Sequence, residues 1–290
     1  MLDCIEFDDG LRWGDTLADV AFLAMDFEHL GRADLGSRFL ELYREFAADT
    51  WPASLAHHYV AYRAQVRSKV ACLRWEQGDA ASAATARDLF ALAADHLDAG
   101  RVRLVVVGGL PGTGKSTLAA GIAAALGAVL LRSDELRKQG AGLDPTTPAA
   151  ACFGAGLYRP EVTEATYTEL LALARVALER GQSVVLDASW NQAAHRERAA
   201  LVAGHTVSDL DELHCTAPAE LIEARLTARA QRGDDVSDAT AEIARALAAV
   251  EAPWPTATPV STVRPVDEVL TTALARLGRT RGEGDRANRR

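Results

Sequence analysis

One short stretch of the chain combines three glycines with a lysine and a serine, residue types that together can hold a phosphate group. The stretch reads Gly109, Leu110, Pro111, Gly112, Thr113, Gly114, Lys115 and Ser116. Its spacing is the complete P-loop pattern. Because glycine accepts backbone conformations that other residues resist, several N–H groups can point inward at phosphate oxygens. The pattern therefore predicts a nucleoside triphosphate site.

The last residues of this stretch have separate expected roles. Lys115 is expected to reach the β- and γ-phosphates of ATP, and the Ser116 hydroxyl is expected to ligate Mg²⁺. Thr117 belongs to the start of the following helix, whose positive end faces the same anion. A glycine-rich turn without a ligand is the plain alternative, but a strand at 102–107, the full motif and a helix at 115–126 coincide here. A P-loop alone identifies a nucleotide binder and leaves the reaction open.

Residues 101–278 alternate short β-like runs with helical stretches. The runs lie at 102–107, 128–131, 183–186, 212–215 and 259–261, and the helices at about 115–126, 162–180, 192–203, 218–231 and 266–277. This alternation favours an α/β fold with a parallel sheet covered by helices on both faces. The carboxyl ends of parallel strands meet at one edge, where ligands bind. Side chains that follow the strands are therefore the candidates for chemistry.

A carboxylate and an arginine follow the second strand. Asp134 would sit near the γ-phosphate, where it could accept a proton from an attacking hydroxyl. Arg137, one helical turn later, lies on the same face and could hold an anionic group of the acceptor. Spacing alone leaves it equally open that Asp134 caps a helix and that Arg137 is a solvated charge.

Another carboxylate, Asp187, ends the hydrophobic run at 183–186 as a Walker B carboxylate would. It could hold Mg²⁺ directly, through water, or through a bond to Ser116; a capping aspartate after a strand is the alternative. The stretch that follows carries His195, Arg196 and Arg198. A solvated helix face explains these three charges most simply.

Three arginines lie on one face of the helix predicted at 218–231, since Arg225, Arg229 and Arg232 are spaced by four and three residues. A helix with arginines after the fourth strand suits a kinase lid, whose closure brings a guanidinium onto the transferring phosphoryl group. We expect a lid role for Arg229 and Arg232 and nucleotide binding by Arg225. The alternative is a basic solvated face balanced by neighbouring glutamates.

Residues 101–278 resemble the small P-loop kinases related to polynucleotide 5′-kinase, zeta toxin and chloramphenicol phosphotransferase. The resemblance lies in the P-loop, the run Ser-Asp-Glu-Leu-Arg at 133–137, the run Val-Val-Leu-Asp-Ala-Ser-Trp-Asn at 184–191, and the three arginines. It implies a P-loop NTPase three-layer sandwich with a five-stranded parallel sheet in the order 2-3-1-4-5. It also implies that Asp134 acts on the acceptor hydroxyl and that Arg137 contacts the acceptor. In the related nucleoside-monophosphate kinases, a turn similar to the one at 261–267 packs on adenine.

Residues 1–100 read as a separate, mostly helical domain that ends at a short hinge at 98–100. The clearest helix, at 54–76, has one apolar face made of Leu55, Tyr59, Tyr62, Val66, Val70 and Leu73. A second helix is predicted at 81–97. The tail at 279–290 is rich in Arg, Gly and Asp and is expected to be disordered. Two domains and a tail therefore make up the chain.

The segments 2–8 and 14–23 resemble part of the C-terminal half of the aminoglycoside phosphotransferase fold. In that family the residue matching Asp3 binds metal, and the one matching Asp19 supports the catalytic loop. The ATP-binding lobe and the His-x-Asp loop that precede this region in the family are absent from this sequence. Residues 1–100 are therefore not expected to catalyse phosphoryl transfer alone. We interpret them as the remnant of a two-kinase protein or as the product of a gene whose start is assigned too late.

The net charge, the cysteines and the apolar runs of the sequence limit the kinds of partner and the location that we expect. The formal net charge is −9, so bulk charge argues against a nucleic-acid partner. The four cysteines, Cys4, Cys72, Cys152 and Cys215, fit no metal spacing. No secretory leader opens the chain, and its apolar runs are too short to span a bilayer. A cytoplasmic protein without a membrane segment is expected.

These residues together predict an ATP- and Mg²⁺-dependent kinase with a small-molecule phosphoacceptor. A nucleotide-dependent switch or scaffold with weak ATPase activity is one alternative, motivated by the incomplete N-terminal part. A polynucleotide 5′-hydroxyl kinase is another, which the acidic balance opposes. Acceptor pockets are built from variable loops, here the stretch at 140–160 with Tyr158 and Arg159, so the sequence leaves the acceptor open.

Overall fold

The computed structural model describes residues 13–144, 159–232 and 241–277. The chain divides into two compact units, Met1–Arg101 and Val102–Arg290. The predicted tail, Asp3 and Tyr158 lie outside the described residues. Within the described ranges, no helix is both long enough and apolar enough to cross a membrane.

The first unit is helical in its described part. Its four helices are α1 (Thr16–His29), α2 (Ala33–Ala47), α3 (Ala53–Glu76) and α4 (Ser82–Ala99). The side chain of Asp15 caps α1 by accepting a hydrogen bond from the backbone N–H of Leu17 at 2.9 Å. The core of this unit joins α1, α3 and α4 through small and medium apolar side chains, among them Ala24, Met25, Val60, Ala64 and Leu89.

The buried face of α3 differs from the one predicted. Tyr62, Val70 and Leu73 were assigned to the apolar face, yet each is about half exposed, at 50%, 48% and 47%. The buried positions are Val60, Ala61, Ala64, Ser68 and Ala71. Small side chains let a neighbouring helix approach closely, and the Ser68 hydroxyl donates to the Ala86 carbonyl of α4 at 2.8 Å. The prediction chose the stripe with the largest side chains, whereas close helix packing buries the stripe with the smallest.

The second unit contains one parallel sheet of five strands. They are β1 (Arg103–Gly108), β2 (Val129–Arg132), β3 (Val184–Asp187), β4 (Asp209–Thr216) and β5 (Thr258–Ser261), in the order β2-β3-β1-β4-β5. All neighbouring pairs are parallel. This order confirms the predicted one, and it places the end of β1 between the ends of β3 and β4.

Helices cover both faces of the sheet. They are α5 (Lys115–Leu126), α6 (Ser133–Gly140), α7 (Pro160–Glu179), α8 (Ala193–His205), α9 (Ala219–Arg232), α10 (Ala241–Ala249) and α11 (Val266–Leu274). One core lies between the sheet and α7 with α8, and the other lies between the sheet and α5 with α11. The central strands are buried on both sides, which is why β1 and β3 read as continuous apolar runs. The three-layer α/β class is confirmed.

The close packing of α3 can be tested by enlarging one buried residue. Ala64 is fully buried, so Ala64→Leu should overpack the helix interface and lower the free energy of unfolding by about 1–3 kcal/mol. Val70→Ala, at a half-exposed position of the same helix, is the matched control and should change it by less than about 0.5 kcal/mol. Urea unfolding followed by circular dichroism measures both. A larger loss of unfolding free energy for Val70→Ala than for Ala64→Leu would indicate that the predicted face of α3 is the buried one.

Candidate active site

The P-loop leaves the sheet at the carboxyl end of β1 and ends where α5 begins at Lys115. Gly112 and Gly114 have φ angles of +83° and +85°, in the region that favours glycine. A Cβ atom on Gly108 would lie 2.3 Å from the ring of Trp254, and one on Gly109 would lie 2.5 Å from the Cys215 carbonyl oxygen. The loop therefore requires glycine both for its turns and for its close approach to neighbouring segments.

A cavity of about 290 Å³ opens beside the first turn of α5. Its lining includes the P-loop residues Gly112, Gly114, Lys115, Ser116 and Thr117, and also Arg225, Arg229, Thr262, Arg264 and Val266. The first N–H groups of an α-helix have no partner within the helix and attract an anion. Leu110 and Pro111 lie outside this lining; the Leu110 carbonyl accepts the Thr113 hydroxyl at 2.7 Å and so folds the loop on itself. The cavity combines an anion-binding end with an apolar end.

Arg225 and Thr262 fasten the P-loop to two other segments. The Arg225 guanidinium donates to the Gly112 carbonyl at 3.3 Å, to the Thr262 hydroxyl at 3.1 Å and to the Thr262 carbonyl at 2.7 Å. The Thr262 hydroxyl in turn donates to the Thr113 carbonyl at 2.6 Å. Arg225 was predicted to bind nucleotide; here its guanidinium holds the backbone that forms the site. Thr262 was not among the predicted site residues, because a threonine after a strand carries no sequence signal of its own.

The other two arginines of α9 are described to different extents. Arg229 lines the cavity beside the P-loop. Arg232 is the last residue of α9, and its side chain is outside the described part of the structure. The lid role expected for both remains a prediction.

Asp187 ends β3 and is 4% exposed. Its Oδ2 atom lies 3.3 Å from Nε of Arg132, and Nη1 of Arg132 lies 3.1 Å from a carboxylate oxygen of Glu135. Among the described residues, the buried Oδ1 atom of Asp187 has no hydrogen-bond partner. A buried carboxylate oxygen without a donor suits a Mg²⁺ ion or its water ligands. The described chain has no cluster of three or more acidic, histidine or cysteine residues arranged for a metal.

Asp134 and Arg137 lie together on α6, directly after β2. Nη1 of Arg137 is 2.6 Å from Oδ1 of Asp134, and the two side chains are 9% and 23% exposed. The sequence placed them on one face, and the structure joins them in an ion pair.

His195 and Arg196 correct the interpretation of α8 as a solvated face, because they are only 2% and 6% exposed. The His195 ring stacks on Tyr167 with centroids 3.9 Å apart, and its Nε2 atom lies 2.9 Å from a carboxylate oxygen of Glu164. Arg196 donates to three backbone carbonyls, those of Trp190, Ala252 and Pro253. Local charge spacing did not reveal these partners, because they come from distant segments.

The AAA domain family AAA_33 matches residues 104–253, about half of the chain. The matched region begins in β1 and includes the P-loop, Asp134, Asp187 and the arginines of α9. The chain therefore belongs to this family.

Among curated proteins, the chain is similar to the uncharacterized protein Rv2004c of Mycobacterium tuberculosis, with 44% identity over 265 residues, 91% of this chain and 53% of the relative. The chain thus spans about half the length of the curated relatives it matches. A sugar kinase from Janibacter is 21% identical with a TM-score of 0.46, covering 60% of this chain and 93% of that one. The APS kinase CysC of Mycobacterium tuberculosis, in complex with AMPPNP and APS, is 22% identical with a TM-score of 0.43, covering 60% and 96%.

The structural role of Arg225 can be tested without any nucleotide. Arg225→Met removes three hydrogen bonds from a cation to buried backbone and hydroxyl groups, so the free energy of unfolding should fall by about 2 kcal/mol. Arg175→Met is the matched control, because the Arg175–Glu179 pair is about half exposed and should contribute less than about 0.5 kcal/mol. Denaturant unfolding of the nucleotide-free protein measures both. Equal stability of the two variants would mean that Arg225 acts only on a ligand.

The two described cysteines should differ in reactivity. Burial raises the pKa of the Cys215 thiol to about 12, and the charge of Lys115 opposes this shift only in part. Alkylation needs the thiolate, so at pH 8 about one Cys215 thiol in ten thousand is reactive. Iodoacetamide should therefore label the exposed Cys72 and spare Cys215, as read by peptide mass spectrometry, with both labelled in guanidinium. Equal labelling in the native protein would contradict the burial of Cys215.

Proposed function

We propose that this chain transfers the γ-phosphoryl group of ATP, as its Mg²⁺ complex, to a hydroxyl group of a small molecule. The observation that carries the proposal is the position of two carboxylates at the carboxyl edge of the sheet: Asp187 ends β3, which adjoins the P-loop strand β1, and Asp134 follows β2, the next strand in the sheet. A nucleotide binder without transfer chemistry has no need of a proton acceptor at this edge. Membership of the AAA_33 family supports the nucleotide-binding part of the proposal.

The P-loop would hold the triphosphate. Its backbone N–H groups and the start of α5 face the anion, and Lys115 supplies a charge at the β- and γ-phosphates. Ser116 and Asp187 would hold Mg²⁺, which offsets the negative charge of the phosphates when it is bound. The Arg225–Thr262 network keeps the loop in this shape before the nucleotide binds, so that little reorganisation is needed.

The apolar end of the same cavity would receive the nucleoside. Val266 and Val269 of α11, together with Arg264, line that end. They lie in and after the turn at 261–267, which the resemblance assigned to adenine. The charge that develops on the transferring phosphoryl group would be met by Arg229 and Arg232 of α9.

Asp134 would accept the proton of the attacking hydroxyl, and Arg137 would hold Asp134 and contact the acceptor. Transfer then requires only that the hydroxyl oxygen lie in line with the γ-phosphate, because phosphoryl transfer depends on position and charge more than on covalent chemistry. The proton would move from the hydroxyl to the Asp134 carboxylate as the new oxygen–phosphorus bond forms and the bond between the γ-phosphorus and the bridging oxygen of ADP breaks. The second product is ADP.

The helical part, residues 1–100, is proposed to shape or dock the acceptor, with residues 101–278 as the kinase domain. This proposal is based on the resemblance of residues 2–8 and 14–23 to the aminoglycoside phosphotransferase fold. In the structure Asp19 is exposed and pairs with Arg63 at 3.1 Å. The free thiols of Cys72 and Cys215 support a reducing, cytoplasmic site of action.

Asp134→Asn tests this mechanism. The substitution keeps the side-chain shape but removes the proton acceptor, so label transfer from γ-labelled ATP to small-molecule hydroxyls should fall by about 10²–10⁴-fold. ATP affinity, measured by calorimetry, should remain within about threefold of the unchanged protein. Asp88→Asn, an exposed position of α4, is the matched control, and Lys115→Ala should lose both nucleotide affinity and transfer.

Three results would redirect the proposal. Full transfer by the Asp134 variant would remove this residue from the mechanism. Label that enters a 5′-hydroxyl oligonucleotide, with steep salt dependence, would identify a polynucleotide kinase. Tight ATP binding without a labelled product would favour a nucleotide-dependent switch.

A further inference from the structure

Trp190 has an unusual backbone conformation in the loop that follows β3. Its φ angle is +53°, a region that bulky L-residues rarely adopt. Two other non-glycine residues with positive φ, Ala48 and Val207, lie just past the ends of α2 and α8, where this conformation is common. Trp190 follows a strand and is fully buried. Strain of this kind persists where the surrounding structure enforces it, most often at functional sites.

Hydrogen bonds from four segments hold the β3 exit loop, residues 188–191. The backbone N–H of Gly109 in the P-loop donates to the Ser189 carbonyl at 3.2 Å, and that of Ala252 donates to the Asn191 carbonyl at 2.8 Å. The Tyr167 hydroxyl accepts from the Trp190 N–H at 3.1 Å, and the Trp190 carbonyl accepts from Arg196. Four segments therefore hold this loop in place, and one of the hydrogen bonds comes directly from the P-loop.

The side chains of the β3 exit loop form a directed chain of hydrogen bonds. Because Tyr167 accepts from a backbone N–H, its own proton is free to go to the Ser189 hydroxyl, 3.2 Å away. Ser189 then donates to Oδ1 of Asn191 at 3.2 Å. This assignment directs the Asn191 carboxamide nitrogen, with its two N–H donors, away from the chain. In the described structure those N–H groups have no partner to which they donate.

The groups in this chain are neutral. Burial raises the pKa of the Tyr167 hydroxyl, so it stays protonated, and Ser189 and Asn191 carry no charge. The nearby arginines already face carboxylates: Arg137 pairs with Asp134, and Arg132 pairs with Asp187 and Glu135. The charge of each of these guanidiniums is already balanced by a carboxylate, so a phosphorylated acceptor would add a second anion beside the first, whereas a neutral hydroxyl-rich acceptor needs only donors and lone pairs.

We propose that the β3 exit loop is an acceptor-binding subsite, in which Asn191 and Ser189 hydrogen-bond the hydroxyl groups of a neutral polyhydroxylated molecule, a sugar or polyol. Trp190 is a positioning residue that aims these two side chains toward the carboxyl edge of the sheet, between Asp187 and the P-loop. This inference rests on the proposed phosphotransfer and adds the class of acceptor. It also assigns a role to Ser189 and Asn191, which the mechanism above leaves unused.

The test uses matched acceptors that differ by one phosphate. The full chain is given γ-labelled ATP with ribose or ribose 5-phosphate, and with glucose or glucose 6-phosphate. At least one neutral member should be labelled, with a kcat/KM at least about tenfold above that of its phosphorylated counterpart, because the latter must compete for paired arginines. With that neutral acceptor, Asn191→Asp should raise the acceptor KM by about tenfold or more while the KM for ATP stays within about twofold.

Two further variants separate recognition from folding. Ser189→Ala should raise the acceptor KM by a smaller factor, and Asn191→Ala should reproduce the Asp variant without adding a charge. Gln192→Ala, at the exposed neighbouring position, is the matched control and should leave both KM values unchanged. Thermal unfolding of each variant checks that the loop is still formed.

The outcomes distinguish this inference from the proposed function. Preference for the phosphorylated members, or an unchanged acceptor KM in both Asn191 variants, overturns the acceptor subsite and leaves phosphotransfer standing. No label in any of the four acceptors overturns the subsite. If in addition no other hydroxyl compound is labelled although ATP binds, the proposed function fails with it.

Discussion

The close approach of the chain to Gly108 and Gly109 is the constraint on which the rest of the second unit depends. At these two positions a Cβ atom would lie 2.3 Å from Trp254 and 2.5 Å from the carbonyl of Cys215. The absence of side chains lets the end of β1 lie directly against β4 and the segment around Trp254. Gly109 also donates its N–H to the β3 exit loop. One pair of glycines thus sets the distance between the phosphate-binding loop and the strands on both sides of it.

Around this point, side chains hold the loops in place by donating hydrogen bonds to backbone carbonyls. Arg225 and Thr262 fasten the outer turn of the P-loop, and Arg196 fastens the loop after β3 to the segment around Pro253. Both guanidiniums hold backbone carbonyls in place, and Arg225 also lines the cavity beside the P-loop. A guanidinium suits this task because its donors are fixed in one plane and can reach several carbonyls at once. The P-loop and the β3 exit loop are thus each held by hydrogen bonds from other segments of the chain.

The sequence was sufficient for the P-loop and for the approximate positions of the strands, because these follow from local patterns: a buried apolar run, glycine spacing and alternation with helices. The sheet order came from the resemblance to small P-loop kinases, since local patterns alone do not fix it. The sequence was not sufficient for the roles of Arg196, His195 and Thr262, because their partners lie in other segments of the chain, up to 149 residues away. The sequence-based prediction was wrong about the buried face of α3. It selected the face with the largest apolar side chains, whereas close approach of the neighbouring helices buries the face with the smallest. The Asp134–Arg137 pair lay between these cases, because helical spacing brought the residues together but could not say whether they face each other or a ligand.

In the proposed phosphotransferase, the Asp134–Arg137 ion pair would also affect the hydrolysis of ATP in the absence of an acceptor. A carboxylate that already has a guanidinium partner would orient a stray water molecule beside the γ-phosphate less readily. An acceptor with several hydroxyl groups would compete for that carboxylate better than a single water molecule. Slow hydrolysis of ATP in the absence of acceptor would then be a built-in property of the resting protein, maintained by one salt bridge on α6.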